Sequence, residues 1–341
     1  MSFFNDTYIF IRKSDKTLSI FDFNKHIFYN RLDSNLNILH SDIIIKGDFS
    51  FADAWFDVDF DDNIYGIVND KKGKLINIDI TNDNIINTLI LKYDYYNYFI
   101  KFPYIKNLID SNHIIYYVIS NNKSTRLIHI YKQNNVYKKN IIDYIDHNIL
   151  TNFITTWNYD IPTIFYFKVV NNSEEIFTST FDLTSLKWSN PIQITNSKKN
   201  KIYLSVIQSK EGVYHISYSE DNSGKYIYKY FSLNLSNCSF ETYNHNYLSS
   251  NIMCLFPSLV EFDSVLYAYW VEYYNLYTCK SHDFGTTWDK PTLINYASSN
   301  PLLIYAFHSN LKNDKKYNLS SLFTFKDYFD IDTILPKHEV Y

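Results

Sequence analysis

The stretch Ser281-His-Asp-Phe-Gly-Thr-Thr-Trp288-Asp-Lys-Pro291-Thr-Leu-Ile294 decides the architecture of this chain, because it occurs twice. A hundred residues earlier the sequence runs Thr180-Phe-Asp-Leu-Thr-Ser-Leu-Lys-Trp188-Ser-Asn-Pro191-Ile-Gln-Ile194, with one extra residue before the tryptophan. Both copies keep a hydroxyl residue, an Asp two positions on, and then Trp-x-x-Pro-x-x-Ile. Midway between them Ser232-Leu-Asn-Leu-Ser-Asn-Cys-Ser-Phe240 holds the equivalent place with Phe for Trp, so the period is roughly 50 residues. Tyr137 and Ile86 continue the spacing upstream in weaker form.

A second pattern rides on the same period: an apolar strand, a polar turn, and an alternating strand leading into the anchor. Ile64 to Val68 with Leu75 to Ile78, Ile114 to Val118 with Leu127 to Ile130, and Val213 to Ser217 with Tyr226 to Tyr230 are such pairs. Thr7 to Ile11 with Leu18 to Phe21, Thr163 to Phe167 with Ile176 to Thr180, and Val265 to Trp270 with Leu276 to Cys279 complete the set. Short runs bounded by Asn, Asp, Ser and Lys clusters are strands, not helices. A further apolar stretch before and after each pair makes four strands per unit, and repeated four-stranded units bury their faces against one another as a β-propeller. The expectation is therefore an all-β propeller of six blades, with seven the alternative, spanning residues 1–341 with a C-terminal tail from about 326. A β-sandwich does not suit so steady a period. The first unit begins at Thr7 without a leading strand, whereas Leu302 to Phe307 and Leu319 to Phe325 are surplus, so C-terminal strands are expected to complete the first blade and close the ring.

Ser281, Asp283, Gly285, Thr287 and Trp288 stand at the five positions of the Asp box, and in them the chain resembles the sialidase-like, BNR-repeat propellers. Thr180, Asp182 and Trp188 keep a degraded copy. The resemblance implies that the box lies on the hairpin between the third and fourth strands of a blade, away from the ligand face. The residue chemistry agrees with a structural part: Asp283 can accept amides of its own turn, Gly285 supplies a backbone conformation that side chains resist, and Trp288 can bury its ring between blades. Sialidases of this kind also grip the substrate carboxylate with three arginines, the first in an Arg-Ile-Pro motif. Here Arg12 is followed by Lys-Ser, and Arg31 and Arg126 also fall in the first 126 residues. Lysine has no bidentate fork with which to replace them, so sialidase activity is not expected.

Tyr and Phe number 33 and 26, which favours pleated, half-buried strands, whereas Gly numbers only 6. Asn and Asp stand at most turns instead, being the residues that best tolerate positive φ after glycine. A net charge of -4 with mixed signs offers no basic face for nucleic acid. The N-terminal residues have neither a cationic nor an apolar signal segment, and no run is long enough for a membrane span. A cytoplasmic chain is the expectation, with surface or spore-layer association left open. Cys238, Cys254 and Cys279 show no metal-ligand spacing and read as buried free thiols; no metal or cofactor is implied.

Function is less legible. No Ser/His/Asp order, phosphate loop or spaced histidine cluster occurs. The leading reading is a non-catalytic binding or scaffold propeller for a glycan or protein partner, its ligand face carrying the turns opposite the Asp boxes. The richest segment there is Tyr93, Asp94, Tyr95, Tyr96, Asn97 and Tyr98, where alternate rings of a strand would face core and ligand in turn. The alternative is a glycoside hydrolase using two carboxylates drawn from Asp48, Asp53, Asp94, Asp143, Asp146, Glu174 and Glu175 on that face.

Overall fold

The computed structural model describes residues 8–23, 25–81, 84–121, 124–134, 136–146, 151–236, 239–249, 253–273, 275–294, 302–319 and 321–325. Cys238 and the tail from 326 lie outside these. The aromatic and β-branched runs pair as six antiparallel sheets arranged as propeller blades. From the axis outward, blade 1 comprises Tyr8–Arg12, Leu18–Asp22, Lys25–Leu32 and Ile38–Phe49. Blades 2 and 3 comprise Ala54–Val58, Ile64–Asn69, Lys74–Thr81 and Asn84–Lys92, then Tyr98–Asn107, Asn112–Ser120, Thr125–Gln133 and Val136–Ile145. Blade 4 runs from Ile154–Asn158 through Ile161–Val170 and Ser173–Asp182 to two short outer strands, Lys187–Trp188 and Ile192–Gln193. Blade 5 holds Lys201–Gln208, Tyr214–Asp221, Tyr226–Ser236 and Ser239–Tyr247, and blade 6 holds Leu255–Phe262, Val265–Glu272, Asn275–Ser281 and Thr292–Ile294.

The ring is closed from inside. Leu302–Ser309 runs parallel to the inner strand of blade 1, in register from Tyr8 opposite Tyr305 to Arg12 opposite Ser309. Leu322–Phe325 pairs with it, and Tyr317–Leu319 extends the inner edge of blade 6. C-terminal strands thus join the N-terminal blade as expected, but they do not replace a missing strand. Tyr8–Arg12 is itself the inner strand of a blade with four strands of its own, and Leu18–Asp22 is the second strand where a third was expected. The surplus strands instead cover inner edges that face the axis. Arg12 Nη1 fastens the return, lying 3.2 Å from both carboxylate oxygens of Asp314.

Among the described residues each blade interface holds one apolar cluster. Phe21, Phe56 and Ile64 lie between blades 1 and 2, Ile67, Ile105 and Tyr116 between 2 and 3, and Tyr117, Phe153 and Tyr166 between 3 and 4. Phe165 and Ile216 join blades 4 and 5, Tyr228 and Trp270 join 5 and 6, and Phe10, Tyr269 and Tyr305 join 6, 1 and the C-terminal strands. The decisive sequence copies are the hairpins between third and fourth strands of blades 4 and 6. Asp283 accepts the Thr287 amide at 2.8 Å, the Thr287 hydroxyl at 2.6 Å and the Ser281 hydroxyl at 2.9 Å. The hydroxyl and amide of Thr287 hold its carboxyl down to about 2. Gly285 has φ +86°, and a Cβ there would run into the Tyr230 hydroxyl of blade 5. Asp182 makes the matching turn, accepting the Thr184 amide at 2.9 Å and the Ser185 hydroxyl at 2.6 Å.

Both half-buried tryptophans reach back onto the third strand of the preceding blade. Trp288 meets the Tyr230 ring edge-on at 4.9 Å, and Trp188 meets the His129 ring at 5.3 Å and donates its indole N–H to Nδ1 at 2.9 Å. Phe240, Tyr137 and Ile86, at the same phase, remain largely exposed, so their spacing marks the hairpin without anchoring a blade. The indole bond also assigns the next protons. With Nδ1 accepting, His129 carries its proton on Nε2 and donates to His113 Nδ1 at 3.1 Å, which places the His113 proton on Nε2. Both rings are fully buried and neutral, and burial lowers His113 to about 4 and His129 well below its ordinary value.

Two outcomes follow. Trp288→Ala should lower stability by about 3 kcal/mol, the low end for emptying a large aromatic site because the ring is only half-buried, and an unchanged urea midpoint would contradict the interblade contact. In the unfolded chain a histidine binds its proton below about 6.5, whereas His113 in the fold resists until about 4. Stability is therefore fully present above 6.5 and falls as pH drops from 6.5 towards 4, by up to about 1.4 kcal/mol per pH unit for each such group. Urea unfolding across that range checks the slope, and His113→Gln should flatten it.

Candidate functional site

On the face carrying the second-to-third-strand turns, the outer strand of blade 2 ends at Lys92 and the chain crosses to the axis through Tyr93 to Asn97. The Tyr93 amide donates to Gly73 O at 2.8 Å, and its hydroxyl to Asn69 Oδ1 at 2.5 Å, so this ring is an anchor. The Asp94 carboxylate accepts the Tyr96 amide at 3.0 Å and Asn97 Nδ2 at 2.6 Å, and is lowered by these bonds, the Asn97 side chain first. Asn121 Nδ2 donates to Tyr96 O at 2.6 Å from the neighbouring turn. Tyr98 opens the inner strand of blade 3, with the Arg126 guanidinium 5.7 Å from its ring centroid. Residues 95–97 form a turn, so the alternation expected of a strand does not apply. The exposed rings of the turn itself are consecutive, Tyr95 and Tyr96, at 39% and 73% exposure, and Phe99 on the strand that follows is exposed as well. The Tyr95 and Tyr96 centroids lie 4.2 Å apart at 31°, and the Tyr95 hydroxyl donates to that of Tyr96 at 2.7 Å.

Most of the carboxylates singled out on this face are engaged by lysines. Asp53 is fully buried between Lys71 at 2.9 Å and Lys101 at 2.8 Å; burial pushes it up, but these lysines and Ser50 outweigh that and hold it low. Asp143 takes Lys168 at 2.9 Å and the Tyr166 hydroxyl at 2.7 Å. Glu175 takes buried Lys201 at 2.8 Å, the Thr195 hydroxyl and the Lys198 amide, and Glu174 takes the Lys201 amide. Glu220, which the sequence did not single out, shares Lys201 and adds Lys229 at 2.8 Å. A buried carboxylate needs such a partner to stay charged. Asp94 is committed to its turn, Asp48 meets Lys71 through its carbonyl, and Asp146 is exposed. These groups serve three separate interblade sites and one loop, and the two acids that do approach each other, Glu175 and Glu220, meet across the buried Lys201 ammonium that both engage.

The arginines also diverge. Arg12 belongs to the closure, and Arg126 starts the third strand of blade 3 at the opposite end of the ring.

A cluster near the axis was not foreseen. Trp55 and Asp57 project from the inner strand of blade 2, Tyr104 and Lys106 from that of blade 3, Trp157 from that of blade 4, and His308 from the closing strand. Lys106 Nζ lies 2.8 Å from Asp57, and His308 Nδ1 lies 3.3 Å from the other oxygen. Trp157 donates its indole N–H to the Tyr104 hydroxyl at 2.8 Å, and Trp55 packs on Tyr104 and on the His308 ring at about 5 Å. Burial raises Asp57, but His308 and Lys106 together bring it below its ordinary value; burial lowers His308. The result is a neutral imidazole backed by a carboxylate, able to exchange a proton at Nε2. That atom and Trp55 Nε1 are buried with no hydrogen-bond partner. The pattern aromatic-x-charged, Trp55 to Asp57 and Tyr104 to Lys106, was a usable signal in adjoining repeats, whereas His308 lies outside the repeat.

Among the described residues no group of His, Cys, Asp or Glu is placed to hold a metal ion, and no helix is long and apolar enough to cross a membrane. No family model matches the chain, and no curated protein matches it. Solved structures do share its fold. A polysaccharide lyase described as an ulvan lyase of a new family aligns over 94% of this chain and 93% of its own, at 8% identity and TM-score 0.63. The same protein bound to -[GlcA(1-4)Rha3S]- aligns equally. Aleuria aurantia lectin in complex with Fucalpha1-6GlcNAc aligns over 81% of this chain and 89% of its own, at 12% identity and TM-score 0.49. The class defined by fold is thus a six-bladed β-propeller, a fold that it shares with the polysaccharide lyase.

Proposed function

We propose that this propeller is a non-catalytic module that recognises a glycan through the face of its second-to-third-strand turns. One observation carries the reading: Tyr95 and Tyr96 stand outward as a contiguous aromatic surface on a turn that Asp94, Asn97 and Asn121 hold rigid. Flat rings stack on the C–H faces of sugars, and a preformed turn loses little entropy on binding. Carbohydrate is the first ligand class to test, since a propeller of this shape is a polysaccharide lyase, seen also bound to -[GlcA(1-4)Rha3S]-. A protein partner remains the competing ligand on the same surface. The Asp-box resemblance rests on Ser281 to Trp288 and makes that hairpin face the supporting one. Tyr95→Ala and Tyr96→Ala should each weaken glycan-array binding about tenfold or more while shifting the melting temperature by less than about 2 °C, as expected for exposed side chains. Loss of stability without loss of binding would return the segment to a structural part.

A second reading, a carbohydrate-active enzyme, is favoured by the unpartnered Nε2 of His308 behind which Asp57 stands. In that reading His308 turns Nε2 to the axial mouth and takes the proton next to a uronate carboxyl, the β C–O glycosidic bond breaks as a C=C bond forms, and the imidazolium, stabilised by Asp57, returns the proton to the leaving oxygen. Release of reducing ends from uronate-containing polysaccharide, abolished by His308→Gln, is the outcome that would establish it. Unchanged release in that variant would remove His308 from the chemistry.

A further inference from the structure

The units His113–His129–Trp188 and His215–Tyr230–Trp288 are the same construction at two interfaces. His113 and His215 stand on second strands, Ile115 opposite His129 matches Ser217 opposite Tyr230 on the third strands, and each tryptophan comes from the third-to-fourth-strand hairpin of the next blade. The two differ at the residue directly across from the histidine. Opposite His113 stands Tyr131, whose ring lies 5.0 Å from the imidazole, and Trp157 and Phe181 close the remaining sides at 5.0 and 5.8 Å. Opposite His215 stands Ser232. Beside this pair, with His215 in its wall, a cavity of about 270 Å³ opens between blades 5 and 6, on the hairpin face.

That cavity is unlike a packing defect. His215 and Ser209, both over nine-tenths buried, line it, and each carries a polar atom with no hydrogen-bond partner, His215 Nε2 and Ser209 Oγ. Leaving such an atom unpaired costs about 1–3 kcal/mol; both atoms lie just behind the cavity wall, so a bound hydroxyl recovers that cost only as the Ser209 or His215 side chain shifts towards it. His215 is held in orientation from behind, its Nδ1 2.7 Å from the Tyr230 hydroxyl, which in turn lies 2.9 Å from Ser232. The Tyr243 and Phe284 side chains line the mouth with Asn244, and Phe284 is well exposed. Asn244 and Phe284 both hold positive φ, at 56° and 54°, so the backbone is strained where these side chains are presented. Among the described residues Glu211 is the only charged one in the lining.

We infer that this interblade cavity is a second ligand site, which takes one neutral sugar ring, with polar edge towards Ser209 and His215 and apolar face against Phe284. The volume sits near the roughly 300 Å³ lower end of ligand pockets, enough for one ring and not for a chain. Glu211 accepts ring hydroxyls and repels carboxylated sugars. The choice of a sugar rests on the glycan reading above, but the site shares no residue with Tyr95 and Tyr96, so the two can fail separately.

The test is saturation-transfer NMR and calorimetric titration of the intact chain with the methyl glycosides of glucose, galactose, mannose and fucose, and with glucuronic acid and a simple alkylamine as contrasts. A neutral glycoside should bind with millimolar affinity. Ser232→Tyr, which restores the ring present in blade 3, should abolish that binding with the melting temperature kept or raised, and Glu211→Gln should weaken it several-fold. Tyr95→Ala should leave it unchanged. No binding by any neutral glycoside, preference for glucuronic acid or the amine, or binding that survives Ser232→Tyr in a folded protein would each overturn the assignment. Loss of glycan-array binding in Tyr95→Ala with this site intact would leave both readings standing.

Discussion

The parallel pairing of Leu302–Ser309 with Tyr8–Arg12 is the interaction on which the ring depends. Five interfaces form between blades adjacent in sequence, but the sixth must join the two ends of the chain, and parallel pairing is possible only because the whole propeller serves as the connection. The closing strand brings Tyr305 and Phe307 into the cluster shared by blades 6 and 1, and Arg12 with Asp314 locks its far end. Its alternate face presents His308 to Asp57. Closure and the axial cluster are thus two faces of one strand, and any change that loosens the first disturbs the second.

The repeat was legible because it is written in short-range terms. A hairpin turn needs Asp283 to cap it and Gly285 where Tyr230 approaches, and the cap recurs at Asp182 in the equivalent hairpin of blade 4. Blade number and strand content follow from that spacing. The manner of closure did not, because Tyr8–Arg12 looks the same in sequence whether it is a first or a second strand; only the partner that occupies its edge decides. The lysine clamps were illegible for the same reason. Lys101 and Asp53, or Lys201 and Glu175, come from different blades, and mixed charges in sequence carry no record of who meets whom. At Tyr93 to Tyr98 the turn held by Asp94 replaced the strand alternation that composition suggested, so that the consecutive Tyr95 and Tyr96 face out.

What differs between equivalent blades is more informative about function than what recurs. The inner strands of blades 3, 5 and 6 each break register at the same place opposite the second strand, and the residue at the break is aromatic with positive φ: Phe102, Tyr203 and Phe256. Blades 2 and 4 keep a regular inner strand there. A bulky residue in that backbone region costs about 1–3 kcal/mol, and bulges re-aim side chains. Here they turn rings from the sheet towards a neighbour, as the 4.3 Å contact between Tyr203 and Phe256 shows. A repeat optimised only for stability would not carry three such positions around its axis. The strain, the unpartnered nitrogens of Trp55 and His308, and the ring missing opposite His215 are all departures from an otherwise self-consistent repeat. Each lies at an inner strand or a blade interface open to one face, where a propeller can give up packing energy without breaking its sheets.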